Sequence, residues 1–302
     1  MSPLAATTAA VVVVYRLAGN VERLLGQLAA SVGRALVVDN SERGHPTLAT
    51  MARRYGAELI RNGNTGALAG AYNRALAGLG TATSGVRQVV FVDEDSDAAV
   101  LASFLADASV DALLQRPDTA AVAPAYRDRA TGLRGKHIEL GRWRLRYLPR
   151  EFDDVRAVAF VINSMSVWRL DALQRIGRFD EWLAIDHVDT EYCLRARAAG
   201  LRLYVHGAHE FAHAIGERRR FRFLGREMQA GGHGPARRRL IARNTAWLAR
   251  TWLAREPAFA FLCATRLAYE AVGIVAAEDD RAVKLWALAA GAARGLVARP
   301  PR

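Results

Sequence analysis

Three consecutive carboxylates, Asp93, Glu94 and Asp95, directly follow the apolar run of residues 89–92. The β-branched and aromatic residues of this run predict a buried strand, and ligands of open α/β sheets usually bind at the carboxyl ends of strands. Carboxylate oxygens are preferred ligands of Mg²⁺ and Mn²⁺, which proteins commonly share with a substrate phosphate. The cluster therefore predicts a site for a metal ion and a diphosphate, although Asp and Ser also favour an ordinary solvated turn at a strand end.

A second group of acids, Asp180, Asp186, Asp189 and Glu191, lies at the start of a predicted helix that ends near residue 199. The helix dipole stabilises acidic residues in a first turn, and this capping role is the interpretation that spacing alone favours. Four acids exceed what one helix cap needs, however, so one of them could act as a general base toward an acceptor hydroxyl.

Polar turns also follow the second and third predicted strands. Asp39 could accept a hydrogen bond from a nucleobase or ribose, or could simply close its turn. The turn of Asn64 and Gly66, with Asn73 beyond it, could let the backbone approach a nucleotide closely, or could be an unusual helix start. It matches neither of the glycine-rich phosphate-binding fingerprints.

Three histidines, His206, His209 and His213, follow a later strand at loop spacing. This spacing fits neither a His-Glu-x-x-His motif nor a Cys/His site, so the sequence argues against zinc. His213 is the best candidate of the three to meet a phosphate or the metal. Cys193 and Cys263 offer no disulfide framework and no metal-ligand spacing, which predicts a reducing compartment.

Predicted strands and helices alternate along the first 125 residues with short connections. The strands cover residues 10–15, 35–38, 57–60, 86–92 and 119–125, and the helices cover 21–32, 48–55, 67–79 and 101–114. This order predicts an α/β fold with a mostly parallel sheet flanked by helices. The polar clusters follow three successive strands, so they should meet along one sheet edge. From residue 218 onward the pattern predicts helices, at 237–255, 258–275 and 282–297.

Charge is unevenly distributed along the chain. Of a net charge of +12, residues 214–302 contribute most, with 17 Lys or Arg against 7 Asp or Glu. Such a basic segment suits nucleic acid, an anionic membrane surface or an anionic lipid-linked substrate. Nucleic acid is not expected, because the arginines are dispersed among apolar helices.

No charge-free apolar stretch reaches the length of a membrane span. The helix predicted at residues 258–275 carries Arg266 and Glu270 four positions apart. That pattern suits a helix lying in a membrane interface, or one packed on the rest of the protein.

In this order the motifs resemble those of family-2 glycosyltransferases of the GT-A fold, and among them the bacterial rhamnosyltransferase branch. The resemblance spans roughly residues 10–250, and its specificity comes from the order of the motifs. Glu94 stands where the rhamnosyl branch often has Gln. The segments that carry the resemblance are residues 37–41, 64–73, 91–96, 162–166, 176–181 and 185–197, then His213 with Gly216, and Arg243 with Asn244.

The resemblance implies a role for each candidate residue. Asp93 and Asp95 would hold Mg²⁺ or Mn²⁺ on the donor diphosphate, with His213 near the metal. Asp189 would be the catalytic base, with Asp186 as its reserve. Contacts to the donor or acceptor would come from Asp39, Asn64, Gly66, Asn73, Asp93, Asn163 and Glu191.

The implied activity is an inverting, metal-dependent transfer of a sugar, best L-rhamnose from dTDP-rhamnose, to a hydroxyl of a cell-envelope or lipid-linked glycan. The alternatives are galactofuranosyl or other hexosyl transfer from a UDP-sugar, and a non-catalytic nucleotide-binding scaffold. Residues 1–215 would form the catalytic domain, with a donor-binding half to about residue 125 and an acceptor half at 126–215. Residues 216–302 would form a basic helical extension that contacts the inner face of the cell membrane peripherally, in a cytoplasmic protein of open oligomeric state.

Overall fold

A computed structural model describes residues 1–79, 85–213, 219–223 and 226–299. The chain forms two compact units. Unit 1 comprises Met1–His137 and Leu148–Ala214, and unit 2 comprises Ile138–Tyr147 and Ile215–Arg302. Gly216, which the resemblance includes, lies outside the described residues.

The first part of unit 1 alternates strands and helices as predicted. Its elements are α1 (Pro3–Ala6), β1 (Thr8–Val14), α2 (Val21–Ser31), β2 (Arg34–Asp39), α3 (Pro46–Arg54), β3 (Glu58–Arg61), α4 (Ala67–Leu79) and β4 (Gln88–Asp93). All seven residues of β1 are buried, which explains why its apolar run does not alternate with polar residues.

The second part of unit 1 is less regular. Its elements are α5 (Leu101–Ala106), α6 (Ala108–Gln115), β5 (Thr119–Asp128), β8 (Val155–Val158), β9 (Val167–Arg169), α7 (Leu170–Ile176), a 3₁₀ turn (Glu181–Leu183), α8 (Val188–Ala198) and β10 (Arg202–His213). The single helix predicted at residues 101–114 is therefore wrong. It divides at Asp107, whose side chain accepts a hydrogen bond from Ser109 N and caps α6.

The elements of unit 1 form one eight-stranded sheet in the order β3-β2-β1-β4-β9-β5-β10-β8. Most neighbouring strands are parallel, whereas β9 runs antiparallel to β4 and β5, and β8 runs antiparallel to β10. The predicted fold class, an α/β fold with a mostly parallel sheet flanked by helices, is confirmed. Because β2 and β4 lie on opposite sides of β1, the chain changes direction there, and open α/β sheets bind ligands at such a crevice.

In its described residues, unit 2 forms two hairpins and three helices. The hairpins are β6 (Ile138–Leu140) with β7 (Leu145–Tyr147) and β11 (Arg219–Phe223) with β12 (Arg226–Ala230), and the helices are α9 (Pro235–Trp252), α10 (Pro257–Ala277) and α11 (Arg281–Val297). The three predicted helices are confirmed, but the helical prediction is wrong for residues 219–223 and 226–230, which pair as antiparallel strands.

Two glycines let α11 approach α9 closely. A Cβ atom on Gly291 would meet the carbonyl oxygen of Arg239, and one on Gly295 would meet that of Arg243. Small residues at a helix contact allow this backbone approach, which no larger side chain would permit.

Helix α10 is the one helix, in the part of the chain that the structure describes, that is long and apolar enough to cross a membrane. An 18-residue stretch of this helix has a mean hydropathy of 1.5, and 33% of that stretch is buried inside the protein. The helix is long and apolar enough although it contains Arg266 and Glu270, the charges that argue against a membrane span in the sequence. Core helices of soluble proteins can be as long and apolar, so α10 is weak evidence for a membrane span.

A buried arginine holds the helices of unit 2 together. Arg238 of α9 is 1% exposed and pairs with Glu270 of α10 and with Glu278, whose Oε1 lies 2.6 Å from Nη2. Lys284 of α11 completes the group, with Nζ 3.1 Å from Glu278 Oε2. The four charges balance, so removal of Arg238 would leave two acids facing one lysine.

We expect Arg238→Leu to destabilise the protein by about 3–5 kcal/mol, because it leaves a buried carboxylate without its main partner. Urea unfolding followed by circular dichroism measures this change. Arg239→Ala is the matched control, since Arg239 is exposed on the same helix and should change stability by less than about 0.5 kcal/mol. Equal effects of the two substitutions would show that the buried charge group contributes nothing.

Candidate functional site

Asp93 is the last residue of β4 and lies at the crevice between β1 and β4. A turn follows it, closed by a 3.0 Å hydrogen bond from Ser96 N to Asp93 O. The turn expected from the Asp and Ser content is therefore present. It presents the acids at the edge of the sheet where the carboxyl ends of the parallel strands meet.

The carboxyl group of Asp93 lies among other negative charges. Burial, followed by the charges of Asp95 and Asp189, raises its pKa to about 7, against the opposing effect of a hydrogen bond from Ser164. Asp93 and Asp189 are far apart in sequence, so their electrostatic interaction exists only because the fold brings α8 to the end of β4. Carboxylates that repel one another in a partly buried site are stabilised by a bound cation.

Tyr72 of α4 lies next to both acids and has no assigned role in the sequence. The side chain is 1% exposed, and burial, Asp93 and Asp189 all raise its pKa. The ring packs against Phe91 at a centroid distance of 4.6 Å. Its position in the apolar stripe of α4 could have marked it as buried, but not as a neighbour of the two carboxylates.

Asp189 lies in the first turn of α8. This is the position that the sequence predicts for an acid that caps the helix. Asp189 Oδ1 accepts hydrogen bonds from Thr190 N at 2.7 Å and Thr190 Oγ1 at 3.3 Å, and these fix the orientation of the carboxylate. Asp186 lies in the loop before α8, just ahead of His187, whose φ of 69° is left-handed. A strained backbone of this kind costs energy and is common at functional sites.

Glu94, the middle acid, supports the neighbouring loop. Its carboxylate accepts hydrogen bonds from Arg16 N at 3.2 Å and from Ala18 N at 3.3 Å, in the loop that follows β1. It thereby joins the ends of β1 and β4 across the crevice. This contact explains a Glu at this position in structural terms.

His213 ends β10 and is partly buried. Burial lowers its pKa, whereas the charge of Asp95 acts to raise it, so the two side chains interact electrostatically. Asp93, Asp95 and His213 thus belong to one edge of the sheet. The ligand atoms of these three residues do not all lie within 4.8 Å of one another. Among the described residues, one other group of side chains does meet this distance. Mg²⁺ and Mn²⁺ do not need such convergence, because they retain water and take phosphate oxygens as ligands.

Asp39 is buried at the end of β2 and already accepts four hydrogen bonds. Ser41 N and Ser41 Oγ donate to Oδ1 at 3.1 and 2.6 Å, and His45 N and Arg61 Nη1 donate to Oδ2 at 3.1 and 2.5 Å. Burial alone would raise the pKa of Asp39, but these hydrogen bonds lower it. All four lone-pair positions of the carboxylate are occupied, so a nucleobase or ribose would have to displace one of these donors.

The turn before α4 is packed by the protein itself. Asn64 and Gly66 both have positive φ angles, of 59° and 65°. The space that a Cβ atom of Gly66 would fill is occupied by Glu181, and the corresponding space at Gly70 by the carbonyl oxygen of Thr65. The glycines are therefore required by close contacts within the protein. Asn64 Oδ1 accepts a 3.4 Å hydrogen bond from Asn40.

Two of the predicted substrate-binding residues hold parts of the protein in place. Asn73 donates to Phe179 O at 3.0 Å and accepts from Phe179 N at 2.8 Å, and its amide also donates to Glu181. Glu191 is 5% exposed and accepts two hydrogen bonds from Arg195, at 2.7 and 2.9 Å. Their polar atoms are thus engaged by protein partners, and the substrate contacts of Asn73 and Glu191 stay predictions. The contact of Asn73 could not be read from the sequence, because Phe179 is distant along the chain.

Asn163 lies in the loop before β9 and contacts the site through Tyr72, to which its side chain donates a hydrogen bond. Its own Oδ1 is buried and has no hydrogen-bond partner among the described residues. A buried acceptor of this kind is costly unless a ligand or water satisfies it. Asn163 is therefore the predicted substrate contact whose atoms fit that role best.

The residues of the site suit Mg²⁺ or Mn²⁺. Asp93 and Asp95 offer hard carboxylate oxygens, and their mutual repulsion would be relieved by a divalent ion. Binding would lower the pKa of Asp93 from about 7 and keep its carboxylate ionised. His213 would add one imidazole nitrogen, which Mn²⁺ accepts more readily than Mg²⁺ does.

Comparison with known proteins finds no matching family model and no matching curated protein. Among solved structures, the chain is similar to GalNAc-T7 in complex with UDP, GalNAc and Mn²⁺, at 10% identity and a TM-score of 0.48, covering 82% of this chain and 51% of that one. It is also similar to a mycobacterial protein, at 14% identity and a TM-score of 0.47, covering 79% and 75%.

A third similar structure is glucosyl-3-phosphoglycerate synthase from Mycobacterium tuberculosis in complex with Mn²⁺, UDP and glucosyl-3-phosphoglycerate. The identity is 19%, the TM-score is 0.31, and the match covers 40% of this chain and 44% of that one. The chain thus matches about half the length of GalNAc-T7 and of this synthase. All three TM-scores lie below 0.5.

We expect Asp93→Asn to stabilise the metal-free protein by roughly 1–2 kcal/mol, because the neutral amide removes repulsion by Asp95 and Asp189. Thermal unfolding with and without Mn²⁺ measures the effect. Mn²⁺ should stabilise the unsubstituted protein and should no longer stabilise the variant.

Asp153→Asn is the control, since it makes the same chemical change at an exposed position of unit 1. It should leave both the metal-free stability and the response to Mn²⁺ unchanged. A metal-free Asp93→Asn variant that is less stable than the parent would contradict the proposed repulsion.

Proposed function

We propose that the protein is a metal-dependent glycosyltransferase of the GT-A fold that uses a nucleotide-sugar donor. The observation that carries the proposal is the grouping of Asp93, Asp95 and Asp189 at the β1–β4 crevice, where their charges interact. Two of these acids follow a strand and suit a metal bound to a diphosphate. The third comes from α8 and suits a general base.

In the proposed reaction, Asp93, Asp95 and His213 would hold Mg²⁺ or Mn²⁺, which would neutralise the charge that develops on the nucleoside diphosphate as it leaves. Asp189 accepts the proton of the acceptor hydroxyl. The new bond joins that oxygen to the anomeric carbon while the bond to the diphosphate breaks, and attack from the opposite face inverts the carbon. Thr190 keeps the Asp189 carboxylate oriented for this transfer.

Asn163 would accept a hydrogen bond from a substrate hydroxyl through its buried Oδ1. Asp186 is the proposed reserve base, because it lies in the short loop just before α8. The order of motifs supports the family-2, inverting type and L-rhamnose from dTDP-rhamnose. A UDP-linked galactofuranose or hexose is the alternative donor, and a nucleotide-binding scaffold without activity is the alternative function.

The proposed acceptor is a hydroxyl of a lipid-linked or cell-envelope glycan, in a cytoplasmic protein that touches the inner face of the cell membrane. The surface of unit 2 supports this placement. Trp143 is 75% exposed at the tip of the β6–β7 hairpin, between Arg142 and Arg144. Ala258 N donates a 3.2 Å hydrogen bond to Arg142 O, which ties the tip to the start of α10, and Phe261 of that helix is 71% exposed. Exposed aromatic residues beside arginines suit the interface of an anionic membrane.

The function is tested by thermal unfolding with Mn²⁺ and either dTDP, dTDP-rhamnose, UDP or UDP-sugars. We expect a metal-dependent rise of the midpoint with a nucleotide, because ligands that bind the folded state stabilise it. A rise with dTDP compounds supports rhamnosyl transfer, and a rise with UDP compounds alone supports galactofuranosyl or hexosyl transfer. No rise with any nucleotide would contradict the proposal.

Two variants separate binding from catalysis within the same prediction. Asp95→Asn should abolish the metal-dependent rise. Asp189→Asn should keep the rise and lower the transfer rate by at least about 100-fold, because it removes a general base. Full transfer activity in Asp189→Asn would show that Asp189 is not the base. If the parent protein binds a nucleotide but transfers no sugar from any of the donors, the scaffold alternative is favoured.

We expect Trp143→Ala and Phe261→Ala each to weaken binding to anionic vesicles about fivefold or more, because each removes a large apolar side chain from the membrane interface. Cosedimentation with phosphatidylglycerol vesicles measures the binding, and neutral vesicles should bind less. Leu133→Ala is the control, since Leu133 is 47% exposed in unit 1. Unchanged binding of both aromatic variants would exclude this surface as the contact.

A further inference from the structure

We propose that Asp107, His206 and His209 form a second metal site, which takes Zn²⁺ or another transition-metal ion of similar chemistry. One ligand atom from each residue lies within 4.8 Å of the others. Among the residues that the structure describes, no other group of three His, Cys, Asp or Glu side chains converges this closely. All three residues belong to unit 1, and none is assigned to the sugar-transfer site.

An irregularity in β10 creates the site. His206 pairs with Pro124 of β5, but the next paired residue of β10 is Glu210, which lies opposite Ala125. Residues 207–209 therefore leave the ladder as a bulge, and bulges commonly redirect side chains at functional sites. Gly207 makes the bulge possible, because a Cβ atom there would meet Phe152 O. The bulge brings the rings of His206 and His209 to a centroid distance of 4.9 Å, nearly perpendicular to each other.

Asp107 meets the bulge from the break between α5 and α6. Its Oδ1 accepts hydrogen bonds from Ser109 N at 2.8 Å and Ser109 Oγ at 2.7 Å. This arrangement turns Oδ2 toward the histidines, with His209 Nε2 at 2.8 Å and His206 Nε2 at 3.3 Å. The cluster is thus formed by two segments that are distant in sequence, the break between α5 and α6 and the bulge of β10.

The distances are close to those of a zinc site. With metal–ligand bonds of about 2.0–2.1 Å in a tetrahedron, ligand atoms lie roughly 3.3 Å apart. The His206–Asp107 pair has this separation, and the His209–Asp107 pair would have to widen by about 0.5 Å. Ser109 Oγ lies 3.1 Å from His206 Nε2, so the hydroxyl or a water molecule would complete the coordination.

The donor set selects the type of metal. Two imidazole nitrogens and one carboxylate suit Zn²⁺, Co²⁺ or Ni²⁺, whereas Mg²⁺ prefers oxygen ligands. Burial lowers the pKa of His206 and so favours the neutral imidazole that binds metal. One contact opposes binding, because Ala208 N approaches His206 Nδ1 at 3.3 Å, and a metal on Nε2 would place a proton on Nδ1. We therefore expect an affinity below that of a closed Cys₄ site.

The proposed metal would join the β10 bulge to the start of α6. His209 lies four residues before His213 on the same strand, so the metal would also restrict the segment that leads to the sugar-transfer site. Without metal, His209 Nε2 forms a hydrogen bond with Asp107 Oδ2, and His206 Nε2 forms one with Ser109 Oγ. The metal-bound and metal-free states of the cluster would differ in whether these side chains coordinate an ion.

The test uses the untagged full chain after treatment with a chelator, and titrates it with Zn²⁺ by calorimetry in the presence of excess Mg²⁺. We expect one Zn²⁺ per chain. Co²⁺ should give the visible d–d absorption of a tetrahedral site. Asp107→Asn should weaken Zn²⁺ binding by more than about tenfold while keeping the cap of α6, because Asn also caps helices.

His209→Gln should weaken binding similarly, and His45→Gln is the control that removes a histidine outside the cluster. Circular dichroism verifies that the variants are folded. Absence of Zn²⁺ uptake by the parent chain, or an affinity equal to that of the parent chain in both Asp107→Asn and His209→Gln, would overturn the proposal. The readout is independent of sugar transfer: Asp95→Asn should keep Zn²⁺ binding, so failure of one site does not imply failure of the other.

Discussion

The repulsion among Asp93, Asp95 and Asp189 is the constraint on which the candidate site depends. A fold without a ligand would gain stability by separating these acids, because the charges of Asp95 and Asp189 disfavour ionisation of Asp93. Unit 1 instead holds them together with Tyr72 buried beside them. Such an arrangement is stable only because the surrounding structure supports it, and it becomes favourable when a cation binds.

The support comes from polar contacts around the acids. Asn73 holds the backbone of Phe179, whose ring stacks on Tyr192 of α8 at a centroid distance of 3.9 Å. Arg195 holds Glu191 with two hydrogen bonds and donates to Ile176 O at 2.9 Å. Together these contacts position the first turn of α8, and therefore Asp189, against the end of β4. Glu94 does the same for the loop after β1.

Unit 2 uses its charges differently. Arg238, Glu270, Glu278 and Lys284 form a buried group in which opposite charges balance, so no ion is needed to stabilise it. Its exposed arginines flank Trp143 at the hairpin tip, which is a surface suited to an anionic partner. Arg238 and Lys284 of the basic segment thus belong to a structural charge group, whereas Arg142 and Arg144 of the β6–β7 hairpin face solvent.

By itself, the sequence determined the α/β class, the parallel strands and the helices α9, α10 and α11, because apolar periodicity and turn residues act over short distances. It also identified Asp93, Asp95 and Asp189 as acids in positions suited to chemistry, since each follows a strand or begins a helix. It could not separate ligands from structural residues. Asn73, Glu191 and Asp39 have their polar atoms engaged by partners that are distant in the chain or in adjacent turns.

Tertiary structure decided other features. The bulge of β10 arises where this strand pairs with β5, which is distant in sequence. The helix break at Asp107 and the pairing of β11 with β12 are local, but the apolar pattern of the sequence did not show them. The spacing of His206, His209 and His213 argued against zinc, because it fits no local motif. The fold instead separates His213 from the other two and supplies Asp107 from a different element, since ligand geometry is set by position in space and not by spacing along the chain.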